Sequence, residues 1–250
     1  MIDAWRDHPR FEAIGLARKP GPYADVIADI ADFDALHPAF AGIDAVVHLA
    51  ASSAVASTWE AVLPSNLIGT YHVFEAARQA GVEQVIFASS NHAIGTNETA
   101  NQPELWEIDD PRVWDETAEI VPDSLYGVSK AYGEALARYY VDHHGMRAFC
   151  LRIGGVRSPE DPSHPVNLWK PEFDDDPEKL LLRKRTRAVW LSERDCVQLI
   201  ERSLDSGERW FLGYGISDNP RKFWDIEHAK AVLGYAPQDS APREILPGVE

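Results

Sequence analysis

The chain has 250 residues, and its 24 Lys and Arg against 40 Asp and Glu give a formal charge of −16. With 45% hydrophobic and 26% charged residues it reads as a globular chain, and no apolar run reaches the ~20 residues needed to cross a bilayer. The acidic excess argues against a nucleic-acid partner, because affinity for phosphates comes largely from Lys and Arg.

Taken in chain order, short β-rich runs alternate with helical patterns, the mark of βαβ units and a parallel sheet. The opening MIDAWRDHPR has no apolar signal segment, so a reducing cytoplasm is the expected compartment. FEAIGLA (11–17), DVIA (25–28), DAVVHLA (44–50), EQVIFAS (83–89) and RAFCLRI (147–153) read as strands buried on both faces. Helical patterns fall at 32–41, 57–80, 124–144, 193–205 and 225–233. Gly81, Gly145 and Gly234 follow three of them as expected helix ends, and Ser192 of SERD opens a fourth. RAVWL before it is strand-like. Residues 96–123 and 154–186, rich in Pro and acids, read as long surface loops that build a ligand site at the carboxyl ends of the strands. Cys150 and Cys196 sit in apolar stretches, have no metal-ligand spacing and are expected to be buried thiols. No metal site is expected.

The chemistry is densest in SLYGVSKAYGEALARYY, which sets Tyr126 and Lys130 four apart on one helix face. A tyrosine is a weak base at neutral pH, and a neighbouring ammonium favours its phenolate. FASSNHAIG ends a buried strand in Ser89, Ser90, Asn91 and His92, a polar row where α/β sheets bind ligands. A serine that holds the reacting oxygen beside such a phenol suits proton removal from an alcohol whose hydride leaves to a cofactor. Asn66, within a helical pattern, is expected to bond a neighbouring strand.

HLAAS, NLIGTYHVFEAAR, FASS, YGVSK and IEHAKAVLGYAPQ, in this order, resemble the extended short-chain dehydrogenase/reductases, the NAD-dependent epimerase/dehydratase superfamily. SSNHAIG, LYGVSK and LRIG look most like uronate dehydrogenases and related short-chain sugar 1-dehydrogenases. The resemblance spans nearly the whole chain. It implies an α/β, Rossmann-like doubly wound parallel sheet over residues 1–153, with a small substrate lobe and the last sheet elements at 154–250, integrated as one domain. The implied activity is NAD(P)-dependent oxidation of the C1 hydroxyl of a cyclic sugar, a hexuronate or glucose 6-phosphate, to its lactone. Tyr126 would be the base, Lys130 its partner and the holder of the nicotinamide ribose, and Ser90 the group that polarises the substrate oxygen. Asp29 and Ile30 would meet the adenine, Leu49, Ala50 and Ala51 would lie along the ribose and pyrophosphate, and Ile153 would lie near the nicotinamide. Ser53, Asn91 and His92 would contact sugar hydroxyls, and an arginine of RKRTRAVWLS the anionic group, with Arg185 the best match and Arg187 and Arg183 close behind. A homodimer through the long helices is implied by the same likeness.

Two departures accompany it. The family's opening strand and G-x-x-G-x-x-G turn, whose helix N-terminus binds the pyrophosphate, have no match in residues 1–10, so the sheet is expected to lack its first strand and the sequence to start late. GLARKPG places Arg18 and Lys19 where the family usually has an acid for the ribose, which admits NADP beside NAD. The alternatives are a sugar-nucleotide epimerase or dehydratase, weakened by the missing acidic pair beside SSNH, and a non-catalytic nucleotide-binding protein.

Overall fold

The short apolar runs of the sequence become parallel strands in the computed structural model, which describes residues 2–5 and 7–243. In chain order the strands are β1 (Leu16–Ala17), β2 (Val26–Ile27), β3 (Ala45–His48), β4 (Gln84–Ser90), β5 (Arg147–Ile153), β6 (Gly155–Val156), β7 (Trp190–Leu191) and β8 (Trp210–Gly215). The main sheet has the order β3-β4-β5-β8 with all neighbours parallel, and the pairs β1-β2 and β6-β7 stand apart from it. The helices are α1 (Ile2–Trp5), α2 (Phe33–Leu36), α3 (Trp59–Val62), α4 (Gly69–Ala80), α5 (Thr96–Thr99), α6 (Leu125–His144), α7 (Pro165–Leu168), α8 (Pro177–Val189), α9 (Glu193–Asp205) and α10 (Glu227–Leu233).

Strand alternation sends successive side chains of β4 and β5 to opposite faces. Val85, Phe87, Ala148 and Cys150 pack with Phe74, Ala77, Tyr140 and Val141 of α4 and α6. Ile86, Phe149 and Leu151 pack on the other side with Leu199, Ile200, Ala229 and Leu233 of α9 and α10. Both faces of the sheet are thus covered, as in doubly wound folds. A third core, with Ile94, Trp106, Val189, Tyr214, Phe223 and Trp224, lies where the long connections meet β8. Cys150 and Cys196 are free and buried.

Several boundaries differ from the reading of the sequence. Of FEAIGLA only Leu16–Ala17 forms a ladder, since β1 bonds β2 alone and, among the described residues, nothing pairs with its other edge or with the outer edge of β3. The backbone groups along these two edges are left without a strand partner among the described residues. The 57–80 pattern is not one α-helix: Leu63–Ile68 forms a wider π-turn between α3 and α4, where Pro64 has no N–H to donate. Pro38 likewise turns the second half of 32–41 into a 3₁₀ segment, His37–Phe40. The expected loop at 154–186 contains α8, capped by Asp176, whose carboxylate accepts from the Glu178 and Lys179 amides. Its helical pattern is hidden because the residues facing inward are arginines; Arg183 and Arg187 are buried. β8 falls outside the expected runs. Ser192 does cap α9, accepting from the Asp195 amide at 3.0 Å.

Candidate active site

α6 brings the tyrosine and lysine to the end of β4. Ser124 starts the helix by accepting from the Gly127 amide at 3.0 Å. Two glycines let the helix lie close to its neighbours. A Cβ at Gly133 would overlap the Phe87 ring, and one at Gly127 would overlap the His92 carbonyl. Tyr126 and Lys130 are consequently buried, and the Ser90 hydroxyl is near enough to the phenol to favour its ionised form. Ser90 Oγ also accepts from the His92 amide at 3.2 Å. Lys130 Nζ donates to the Ala88 carbonyl at 2.7 Å and lies 4.9 Å from the Phe87 ring centre and 5.5 Å from that of Tyr126. The His92 ring meets the Tyr126 ring edge-on at 5.9 Å. Ile153, at the end of β5, pairs in register with Ser90 and Gly215.

The electrostatics correct one expectation. Burial raises the Tyr126 phenol above its ordinary value, opposed by the hydrogen bond to Ser90; Lys130 does not bring it down. Withdrawing the phenolate from water outweighs the favourable contact with the Ser90 hydroxyl. Burial pushes Lys130 itself down to about 8, against the charge of Glu134. Behind it His48 is driven down to about 3 by burial and by the Lys130 charge, so it is neutral, with Nε2 3.1 Å from the Thr70 hydroxyl.

A buried network, not anticipated from the sequence, lies beneath the site. Arg152 donates to both oxygens of Glu134, at 2.9 and 2.8 Å, and to the Tyr214 hydroxyl at 3.1 Å. Ser89 donates to the same carboxylate at 2.5 Å, and Tyr214 donates to the Asp115 carbonyl at 3.0 Å. Strands β4, β5 and β8, helix α6 and the 110–120 loop are thereby tied at one point. Its sequence signal was Glu134 one turn beyond Lys130, on the buried face of α6.

The structure therefore brings Ser90, Asn91, His92, Tyr126, Lys130 and Ile153 together. Leu49 is 47% exposed and Ala50 is exposed beyond the end of β3, with Ala51 half-buried, which leaves a small-residue ledge open beside the strand ends. The Asp29 carboxylate accepts from the Ala31 amide at 2.9 Å, and the Ile30 carbonyl accepts from His72 Nδ1 at 2.9 Å. Ser53 is exposed in the loop after β3. No glycine-rich turn for the phosphates of a dinucleotide lies among the described residues. Asn66 braces the fold: it accepts from the Ser52 amide at 2.7 Å and donates to the Ser52 carbonyl at 3.1 Å and to Ser129 Oγ at 2.9 Å.

Arg185 is not gathered into that cluster. It donates through Nε and Nη2 to Glu98, at 2.7 and 3.2 Å, and Trp106 Nε1 donates to the same buried carboxylate at 3.0 Å. Arg183 is held by Asp174 and by the carbonyls of Leu168 and Lys170, and Arg187 by the carbonyls of Trp106 and Arg243. The basic run is thus largely turned inward, and is not a solvated face. Among the described residues no group of His, Cys, Asp or Glu could hold a metal ion, and no helix is long and apolar enough to cross a membrane.

A parallel sheet wound on both faces, with a Tyr–Lys helix beside a serine at a strand end, defines a Rossmann-like nicotinamide-dependent class. The model of the NAD dependent epimerase/dehydratase family matches residues 2–208. The chain belongs to this family. It is 40% identical over 216 residues to the NAD-dependent glucose-6-phosphate dehydrogenase of Haloferax volcanii, covering 86% of this chain and 76% of that protein. It is also 40% identical over 228 residues to the uronate dehydrogenase of Pseudomonas putida, covering 90% of this chain and 72% of that protein. Among solved structures, a glucuronic acid dehydrogenase from Chromohalobacter salexigens superposes with a TM-score of 0.71 at 29% identity, over 96% of this chain and 80% of that one. A uronate dehydrogenase variant from Agrobacterium tumefaciens complexed with NAD superposes at 0.66 with 30% identity, over 90% and 75%.

Proposed function

We propose that the protein is a sugar 1-dehydrogenase that oxidises the C1 hydroxyl of a cyclic hexuronate or hexose phosphate to its lactone, with NAD as cofactor. The observation that carries this reading is the buried Tyr126 phenol set beside Ser90 at the end of β4, with Lys130 behind it donating to the Ala88 carbonyl. The dehydrogenase names of the relatives support it. Ser90 orients the C1 oxygen, Tyr126 takes its proton, and Lys130 holds the helix against the strand and supplies positive charge beside the phenol. When bound, the nicotinamide supplies the acceptor for the C1 hydride. The C–H and O–H bonds break, a C=O forms, and the proton stays on the phenol.

On this reading Asp29, Ile30, Leu49, Ala50, Ala51 and Ile153 line the cofactor, and Ser53, Asn91 and His92 meet sugar hydroxyls. Arg185, oriented by Glu98 and 31% exposed along its side chain, meets the anionic group with the edge that Glu98 leaves uncovered. Arg18 and Lys19, exposed just beyond β1, admit a 2′-phosphate, so NADP serves as well as NAD. Exposed Trp59, Tyr71, Leu125, Val128 and Tyr139 on α3, α4 and α6 are the surface for pairing two copies, and the free buried thiols suit the cytoplasm.

The test is a screen of galacturonate, glucuronate and glucose 6-phosphate with each nicotinamide cofactor. The expected result is one reduced cofactor released per lactone formed. Sugar-nucleotide isomerisation without net cofactor reduction would instead identify an epimerase. Cofactor binding without turnover of any sugar would instead identify a non-catalytic nucleotide-binding protein.

A further inference from the structure

Beside these residues lies a carboxylate to which the proposed reaction assigns no role. Asp123 precedes the capping serine of α6, and its side chain is only 6% exposed. Its Oδ2 accepts from His92 Nδ1 at 2.7 Å, and its Oδ1 accepts from Ser124 Oγ at 2.9 Å. The pair is built in from both sides. A Cβ at Gly95 would overlap the Asp123 carboxylate, and one at Gly127 would overlap the His92 carbonyl, so glycines make the room in which the two groups meet. The His92 ring stands edge-on to Tyr126, and its amide is anchored on Ser90 Oγ. Its Nε2 makes no hydrogen bond among the described residues.

An ionised carboxylate can only accept, so the Nδ1 facing it carries a proton, and it is the single-proton form of the ring that presents Nε2 as a bare lone pair. The same logic sets the tautomer of metal-bound histidines through their outer partners. We propose that Asp123 fixes His92 as the Nδ1–H tautomer, so that Nε2 accepts a hydrogen bond from a hydroxyl of the sugar bound over Tyr126. Asp123 is then a positioning residue that acts through His92 and selects for a hydroxyl donor at one ring position. This rests on the sugar-dehydrogenase reading. A site built to bond a hydroxyl discriminates strongly against the analogue that lacks it, because its own polar atom is left unpaired.

The test has a spectroscopic and a kinetic arm. In the wild-type protein, ¹⁵N spectra of the imidazoles, assigned with His92→Gln, should show His92 with Nδ1 protonated and Nε2 bare. Asp123→Asn should mix the two tautomers while the melting temperature confirms that the variant is folded. With the sugar that is turned over, Asp123→Asn should raise KM about tenfold, the loss of roughly one hydrogen bond, with kcat much less affected. Across single-deoxy versions of that sugar, one position should erase the difference between the two proteins. An Nε2-protonated His92 in the wild type would overturn the proposal, as would a KM penalty that persists at every deoxy position. A wild-type protein that turns over no sugar would instead remove the functional reading, leaving the tautomer to be judged by its spectrum.

Discussion

The Lys130 ammonium donates to the carbonyl of Ala88 at 2.7 Å, two residues ahead of Ser90 on the same strand. The cation thus joins the helix that carries the phenol to the strand end that carries the serine. Burial places this ammonium at about 8, against about 10.4 in an unfolded chain. Between those values the unfolded chain binds more protons, so the folded state gains stability as pH rises through the window. The cost of the buried charge is fully present below pH 8 and is relieved by roughly 3 kcal/mol at the alkaline end. Lys130→Met carries no such term. Urea unfolding at neutral and alkaline pH should therefore show the stability difference between the two proteins moving in the wild type's favour as pH rises; a constant difference would contradict the buried charge.

Tyr126 predicts the pH dependence of catalysis. Its phenol lies above the ordinary value, so at neutral pH the basic form is a small fraction that grows with pH. kcat/KM should climb by up to about tenfold per unit from slightly acid pH through neutrality. A plateau reached below pH 7 would mean that another group takes the proton.

The Glu134–Arg152 pair is a stability prediction. Both side chains are almost wholly buried, and Glu134→Gln would leave the buried guanidinium without its counter-charge. Such losses cost roughly 3–5 kcal/mol. Chemical denaturation of Glu134→Gln should show a loss of this size, with Ser89→Ala losing much less because it removes one neutral donor and no charge.

These contacts mark what the sequence disclosed and what it hid. β4 and β5 were legible because each carries a continuous apolar stretch, residues 85–88 and 148–151, buried on both faces, and α6 because Ser124 and Gly145 bound its pattern. A polar row at a strand end and a four-residue spacing singled out Ser90, Tyr126 and Lys130, and the family resemblance supplied the roles proposed for them. α8 was hidden because Arg183 and Arg187 bury charge on carbonyls and a carboxylate, which a reading based on apolar periodicity takes for a solvated face. Glu98, Asp123 and Arg152 were missed for a related reason: each acts through a partner far away in the chain, at sequence separations of 87, 31 and 18 residues. The direction of the Tyr126 shift needed its burial, which spacing does not contain.

Arg185 separates two kinds of effect. Arg185→Ala leaves the Glu98 carboxylate with Trp106 as its remaining side-chain donor, so the melting temperature should fall. If the exposed edge of the guanidinium also meets substrate, KM should rise at least about tenfold more for an anionic sugar than for its neutral counterpart. A lower melting temperature with equal KM changes for both sugars would confine Arg185 to holding Glu98.

The most direct measurement compares the wild type with Tyr126→Phe in NAD reduction by the best sugar of the screen, with lactone formation followed in the same samples. We predict equal amounts of NADH and lactone from the wild type, and a loss of at least about a thousandfold in kcat for the variant at unchanged folding. Turnover by Tyr126→Phe within a few-fold of the wild type would contradict the account.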